Sequence, residues 1–168
     1  MGIHSCFHEF QIQIRRLSKK PSCGWPSTIV LPSGIETRSL ERMDIRNIEE
    51  VAPFITKDGS EIRELLAYRN SVIRHQSLAE ARLLVGGSTQ EHYHPKTEEI
   101  YFITAGQGRM RIEDVSREVR VGDAIAIPPG LRHKIWNTGS DTLKLLCCCA
   151  PAYEHSDTII TENEREGW

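Results

Sequence analysis

Through most of its length after residue 70 the chain alternates apolar and polar residues with a period of two, broken by short Gly- or Pro-containing stretches. That period belongs to half-buried strands, because successive side chains on an extended backbone point to opposite faces. It predicts strands over 71–76, 78–85, 98–103, 109–113, 117–121, 124–127, 133–137 and 143–149. Gly106-Gln107-Gly108, Asp114, Gly122-Asp123, Pro128-Pro129-Gly130 and Gly139-Ser140-Asp141 supply the turns between them. The 109–113 strand is expected to fold back on Tyr101–Thr104. Pro151 should close the sheet, with 152–160 wrapping across it. Short strands at regular spacing argue for an all-β, double-sheet barrel of the jelly-roll class, with little helix.

Upstream the pattern changes. Ile45, Ile48, Val51 and Phe54 fall at helix-like spacing for a short turn that Lys57-Asp58-Gly59-Ser60 breaks, and 61–66 fits a helical turn or an edge strand equally well. Residues 1–42 show no sustained period, and six basic residues against three acidic ones give them a net charge of +3. They read as a disordered extension, with Met43 a candidate for the true start of translation. The barrel is then expected over 43–160, and the charged end, 161–168, should fray.

Composition narrows the function. With 168 residues and a net charge of −2, nothing favours bulk attraction to nucleic acid or a membrane. No apolar run is long enough to span a bilayer, and the first residues lack the apolar core of a secretory signal. Of five cysteines, Cys147, Cys148 and Cys149 are adjacent, so neighbours face opposite ways and cannot bridge one another. They read as buried thiols in a late strand, in a reducing, cytoplasmic compartment.

The chemistry concentrates in Gly86–Gly106. His92 and His94 share a strand face, Pro95 ends that strand, and the following strand offers a carboxylate from Glu98 or Glu99. A His-x-His pair on a strand is more often a surface or core pair than a ligand pair. About forty residues on, a Pro-Pro-Gly turn delivers His133 at the start of another strand. Three imidazoles and one carboxylate from two hairpins suit a first-row divalent metal, provided the sheet curls enough to bring them together. Parity places Tyr101 and Ile103 on the face of Glu99, and Ile135 on that of His133. Tyr101 is then the candidate pocket group, as a proton donor or substrate hydrogen bond, although a core tyrosine reads the same way. Trp136 falls on the opposite face, at a packing or dimer surface. Arg109, Arg111 and Arg132 read as a solvated face. His4, His8, His75 and His155 carry no pattern.

These spacings resemble the two signature motifs of the cupin superfamily. Gly86, five residues, His92-x-His94, four residues, Glu99, six residues and Gly106 agree with the first. Gly122, five residues, Pro128-x-Gly130, two residues, His133, three residues and Asn137 agree with the second. The resemblance implies a small β-barrel in which His92, His94, Glu99 and His133 hold a divalent metal, with the glycines, Pro128 and Asn137 as turn and scaffold positions. Only Glu99, not Glu98, keeps the six-residue spacing to Gly106. With no thiolate among the ligands, Fe2+, Mn2+, Ni2+ and Zn2+ all fit.

Two functions follow as expectations. One is a metal-dependent enzyme acting on a small polar metabolite, of sugar-phosphate isomerase-like, lyase-like or dioxygenase-like type. The other is a non-catalytic metal- or small-molecule-binding cupin. A sugar-phosphate isomerase should show an Arg or Lys converging on the pocket, and parity identifies none. A DNA-binding reading is disfavoured by the lack of a helix-turn-helix pattern. By the same resemblance, a homodimer is expected.

Overall fold

The computed structural model describes residues 43–162. The expectations for 1–42 and for the last six residues lie outside that range. Eleven strands occur among the described residues: β1 (Phe54–Ile55), β2 (Glu61–Leu66), β3 (Ser77–Leu83), β4 (His92–Tyr93), β5 (Glu98–Ala105), β6 (Gln107–Ile112), β7 (Val115–Arg120), β8 (Ala124–Ile127), β9 (His133–Asn137), β10 (Leu143–Ala150) and β11 (Ile159–Ile160). They form two antiparallel sheets, ordered β1-β2-β3-β10-β5-β8 and β11-β4-β9-β6-β7. This is the expected all-β double-sheet barrel.

Inward positions follow the predicted parity. On β5, Glu99, Tyr101 and Ile103 are buried while Glu98, Ile100 and Phe102 are exposed. On β10, Leu143, Leu145, Cys147 and Cys149 point in, and Cys148 lies on the other face. The apolar core joins Ile103, Leu143 and Leu145 of the larger sheet to Met110, Val119 and Ile135 of the smaller.

Four local expectations change. Residues 71–76 form no strand, because the turn before them is held by its own polar side chains. Asn70 Oδ1 accepts from the Ala67 N–H (2.7 Å), and the Ser71 N–H and hydroxyl both donate to the Ala67 carbonyl (3.0 and 2.8 Å). The helix-like spacing near the start becomes one turn of 3-10 helix, Ile48–Glu50, with no buried residue. Residues 61–66 are a strand, lying between β1 and β3. Lastly, β6 does not return along β5 but pairs with β7 and β9 in the other sheet. Gly106 is the only residue between β5 and β6, too short a link for a hairpin, so the chain kinks there from one sheet into the other. Its φ is +76°, and a Cβ would sit 2.9 Å from the Thr142 carbonyl oxygen, so glycine is required on both counts.

After Pro151 the chain does wrap across the barrel, where Ile159 and Ile160 of β11 pair with Tyr93 and His92. Packing continues past Ile160. Thr161 is buried and donates to the Glu91 carbonyl, and Glu162 pairs with Lys134. No helix among the described residues is long and apolar enough to cross a membrane.

Candidate metal centre

His92 opens β4 and lies directly opposite His133, the first residue of β9, in the antiparallel register. His94 follows two residues after His92. The Gly130 N–H donates to its carbonyl (2.8 Å), tying the Pro-Pro-Gly turn to the end of the His-x-His strand. Two imidazoles therefore come from the smaller sheet, and the third, His94, from the residue just past the end of β4. Glu99, on β5, comes from the larger sheet across the interior. None of the four is more than 5% exposed.

One candidate ligand atom from each residue lies within 4.8 Å of the others. Two opposed ligands at bonds of about 2.1 Å would be ~4.2 Å apart, so only a small inward adjustment separates this arrangement from a coordination shell. Glu99 Oε2 is 3.5 Å from His94 Nε2 and 3.4 Å from His133 Nε2. All three imidazoles are held from behind. Nδ1 faces the Gln90 carbonyl in His92 (2.8 Å), the Asp157 carbonyl in His94 (3.1 Å) and the Leu131 carbonyl in His133 (3.1 Å). A carbonyl only accepts, so Nδ1 carries a proton, and in the neutral ring Nε2 then aims its lone pair inward. His133 Nε2 and Glu99 Oε2 are fully buried without a hydrogen-bond partner. Orphaned acceptors of that kind are costly unless a cation completes them. The donor set fits a divalent first-row ion.

Electrostatics agree. Burial, then repulsion from His133, depresses the pKa of His92 to about 4. Burial opposes charge on His94 too, but the Glu99 carboxylate and Asp157 outweigh it and raise its pKa. For Glu99, burial works against ionisation, but the close approach of His133 and His94 outweighs it and holds the carboxyl well below its ordinary value. The other oxygen of Glu99, Oε1, accepts from the Cys149 thiol at 3.3 Å. Burial, then the Glu99 charge, pushes the Cys149 thiol pKa well up, so it remains a donor.

The cluster opens onto a cavity between the sheets. Small inward residues on β3 (Ser77, Ala79 and Ala81) leave this space. Tyr101 lines it, with its ring edge-on to His133 at 6.0 Å. Ile103 lies further along the same face. Arg109, Arg111 and Arg132 stay outside the cavity. Arg109 lies over the Trp136 ring, Arg111 pairs with buried Glu91, and Arg132 pairs with Glu113. Trp136 is half-buried on the outer face, as its parity requires.

The sequence reading missed the groups that aim the ligands and line the cavity. Cys149 counted only as a buried thiol, because strand parity does not say which strand it will face. Asp58 read as a helix breaker and Tyr153 as part of an aperiodic wrap, yet both line the cavity beside the histidines.

The pattern that defines the Cupin domain matches residues 79–149, a span that includes all four clustered residues. An uncharacterized protein of Methanocaldococcus jannaschii is 49% identical over 114 residues, covering 68% of this chain and 91% of that protein. Among solved structures, the polyketide cyclase RemF from Streptomyces resistomycificus aligns with a TM-score of 0.62 at 22% identity, over 74% of this chain and 92% of the other. A predicted oxalate decarboxylase from Thermotoga maritima aligns with a TM-score of 0.57 at 27% identity, over 65% and 99%. With both signature spacings, the two-sheet barrel and the His–His–Glu–His cluster at its centre, this chain belongs to the cupin family.

Proposed function

We propose that this protein is a metal-dependent enzyme acting on a small polar metabolite, with His92, His94, Glu99 and His133 as the metal ligands. The observation that carries the reading is the pair of orphaned acceptors, His133 Nε2 and Glu99 Oε2, buried beside two further imidazoles whose Nδ1 atoms are already engaged. A divalent ion held there would supply Lewis acidity and positions for an exchangeable water or substrate oxygen. Tyr101 is assigned to the pocket wall as a hydroxyl donor toward substrate. A cyclase and a predicted decarboxylase share the barrel, so the fold does not choose the reaction. The non-catalytic binding reading differs in one respect, that it requires no turnover. The test is metal analysis of protein purified without added metal, then a turnover screen with and without chelator. Stoichiometric metal with chelator-sensitive turnover supports the enzyme. Metal without turnover favours the binding module, and no metal removes the enzyme and leaves only a metal-free small-molecule-binding cupin.

The same proposal extends to a homodimer. On the outer face of β5, Ile100 and Phe102 are 48% and 41% exposed, beside Ala126 and Ala124 of the adjacent edge strand β8. An apolar row next to a sheet edge suits a second copy. Light scattering after size exclusion should give twice the chain mass, falling to one chain mass for Phe102→Lys.

A further inference from the structure

Asp58 is buried in the tight turn between β1 and β2 and lines the cavity together with His92, His94 and Glu99. Its Oδ1 is saturated by the Thr56 hydroxyl (2.5 Å), the Ser60 hydroxyl (2.8 Å) and the Ser60 N–H (3.2 Å). Accepting three donors on one oxygen is carboxylate behaviour. No side chain or backbone donor reaches Oδ2, and no cation pairs with Asp58 among the described residues. Tyr153, on the wrap after β10, also lines the cavity, with its ring edge-on to His94 at 6.1 Å. Its hydroxyl is sealed from solvent and has no partner within hydrogen-bond geometry, with the Thr158 side chain and the Lys57 backbone as its polar neighbours. The cavity thus presents one spare acceptor and one spare donor, both in the same enclosed space as the metal cluster.

Charge decides what can fill it. A divalent ion would be balanced by Glu99 and Asp58. Glu64, the one other acid in the lining, is already paired with Arg69. No Lys or Arg lines the cavity among the described residues. An anionic ligand would have to enter a low-dielectric space already neutral, against the unpaired Asp58. We infer that the cavity selects a neutral, hydroxyl-bearing small molecule, one hydroxyl donating to Asp58 Oδ2 and one oxygen accepting from the Tyr153 hydroxyl. Phosphorylated and carboxylate ligands are thereby excluded, the sugar-phosphate class among them. Both residues lie outside the segment that matches the Cupin domain, so this selectivity belongs to the parts of the chain flanking the shared motifs.

The inference rests on the metal reading, and its test separates the two. Mn2+-loaded protein is mixed in turn with glycerol, dihydroxyacetone and xylose, and with phosphate, glycolate and malonate. Binding is read from the paramagnetic broadening of ligand proton signals, or of the 31P signal for phosphate. The neutral compounds should broaden at concentrations where the anions do not. Asp58→Asn, which keeps an oxygen for Thr56 and Ser60, should weaken the neutral compounds at least about tenfold and strengthen the anions by a similar factor, at unchanged Mn2+ stoichiometry. Tyr153→Phe, a milder change, should weaken the neutral compounds about fivefold and leave the anions alone. Anions binding the wild type as well as the neutral compounds do, or a selectivity untouched by either variant, would overturn the inference and leave the metal site standing. Failure to take up Mn2+ or any other divalent ion would instead remove the metal reading, and this inference with it.

Discussion

The two ends of the barrel interior are built by the same strands, yet one end is polar and reactive and the other is hydrocarbon. Successive inward rows across the larger sheet make the change visible. At the mouth, Ser77, Cys149, Glu99 and Ile127 lie side by side, followed by Ala79, Cys147, Tyr101 and Ile125. Deeper come Ala81, Leu145 and Ile103, and at the base Leu83 and Leu143. Each inward step along a strand is about 7 Å, so a change of two residues moves a side chain from the chemistry to the packing. In this barrel, stability and function are separated along the strands rather than between them. Ile103 and Leu143 fill space in the apolar core, whereas the unsatisfied polar atoms gather at the Glu99 end of a cavity that the small side chains of β3 leave open and that reaches as far as Leu83.

That division can be broken from either end. The largest effect is expected at the base. Leu143→Ala removes a fully buried side chain and should cost about 2–5 kcal/mol of unfolding free energy, measured by chemical denaturation of the metal-free protein. At the mouth, His133→Ala should lower affinity for Mn2+ or Zn2+ by at least roughly a hundredfold while the denaturation midpoint of the metal-free protein moves little. Equal loss of stability at both ends would erase the distinction.

Acidity offers a smaller, graded lever. In the metal-free protein His92 stays neutral down to about pH 4, and Glu99 stays ionised because its pKa is lowered. His94 is the exception, since its raised pKa keeps a proton on the ring above the ordinary imidazole range. A metal ion must displace that proton, so affinity should rise with pH through that range and fall steadily on acidification. Titrations between pH 5 and pH 8 would measure this, and a flat profile would count against metal binding through His94.

The smallest expected change is at Cys149. Cys149→Ala removes the donor on Glu99 Oε1 and frees that oxygen to approach the ion as a second carboxylate ligand. Metal affinity should shift about tenfold or less. X-ray absorption of the Mn2+ form should register added oxygen coordination, and Cys149→Ser should largely restore the original spectrum.

Much of this was legible before any coordinates. Parity alone assigned Glu99, Tyr101 and Ile103 to one face and Trp136 to the other, because alternation is a local property of extended backbone. The resemblance between the Gly, His, Glu, Pro and Asn spacings and the cupin motifs named the four residues that cluster in space. Residues 71–76 misled because alternation cannot register the Asn70 and Ser71 side chains capturing the backbone of their own turn. The 109–113 strand misled because hairpin logic assumes that sequence neighbours pair, whereas a one-residue link at Gly106 sends β6 into the opposite sheet.

By itself, then, the sequence determined most of the strands and their inward faces, set by backbone geometry over a few residues, and its resemblance to the cupin motifs implied the candidate ligands. Tertiary structure alone decided which sheet each strand joined, and so brought Glu99 across the interior to histidines on or just past strands of the other sheet. It also brought Asp58 and Tyr153 into the cavity from opposite ends of the domain, and Cys149 against Glu99. Pairing between distant segments depends on how the whole barrel closes, and no local pattern encodes that closure.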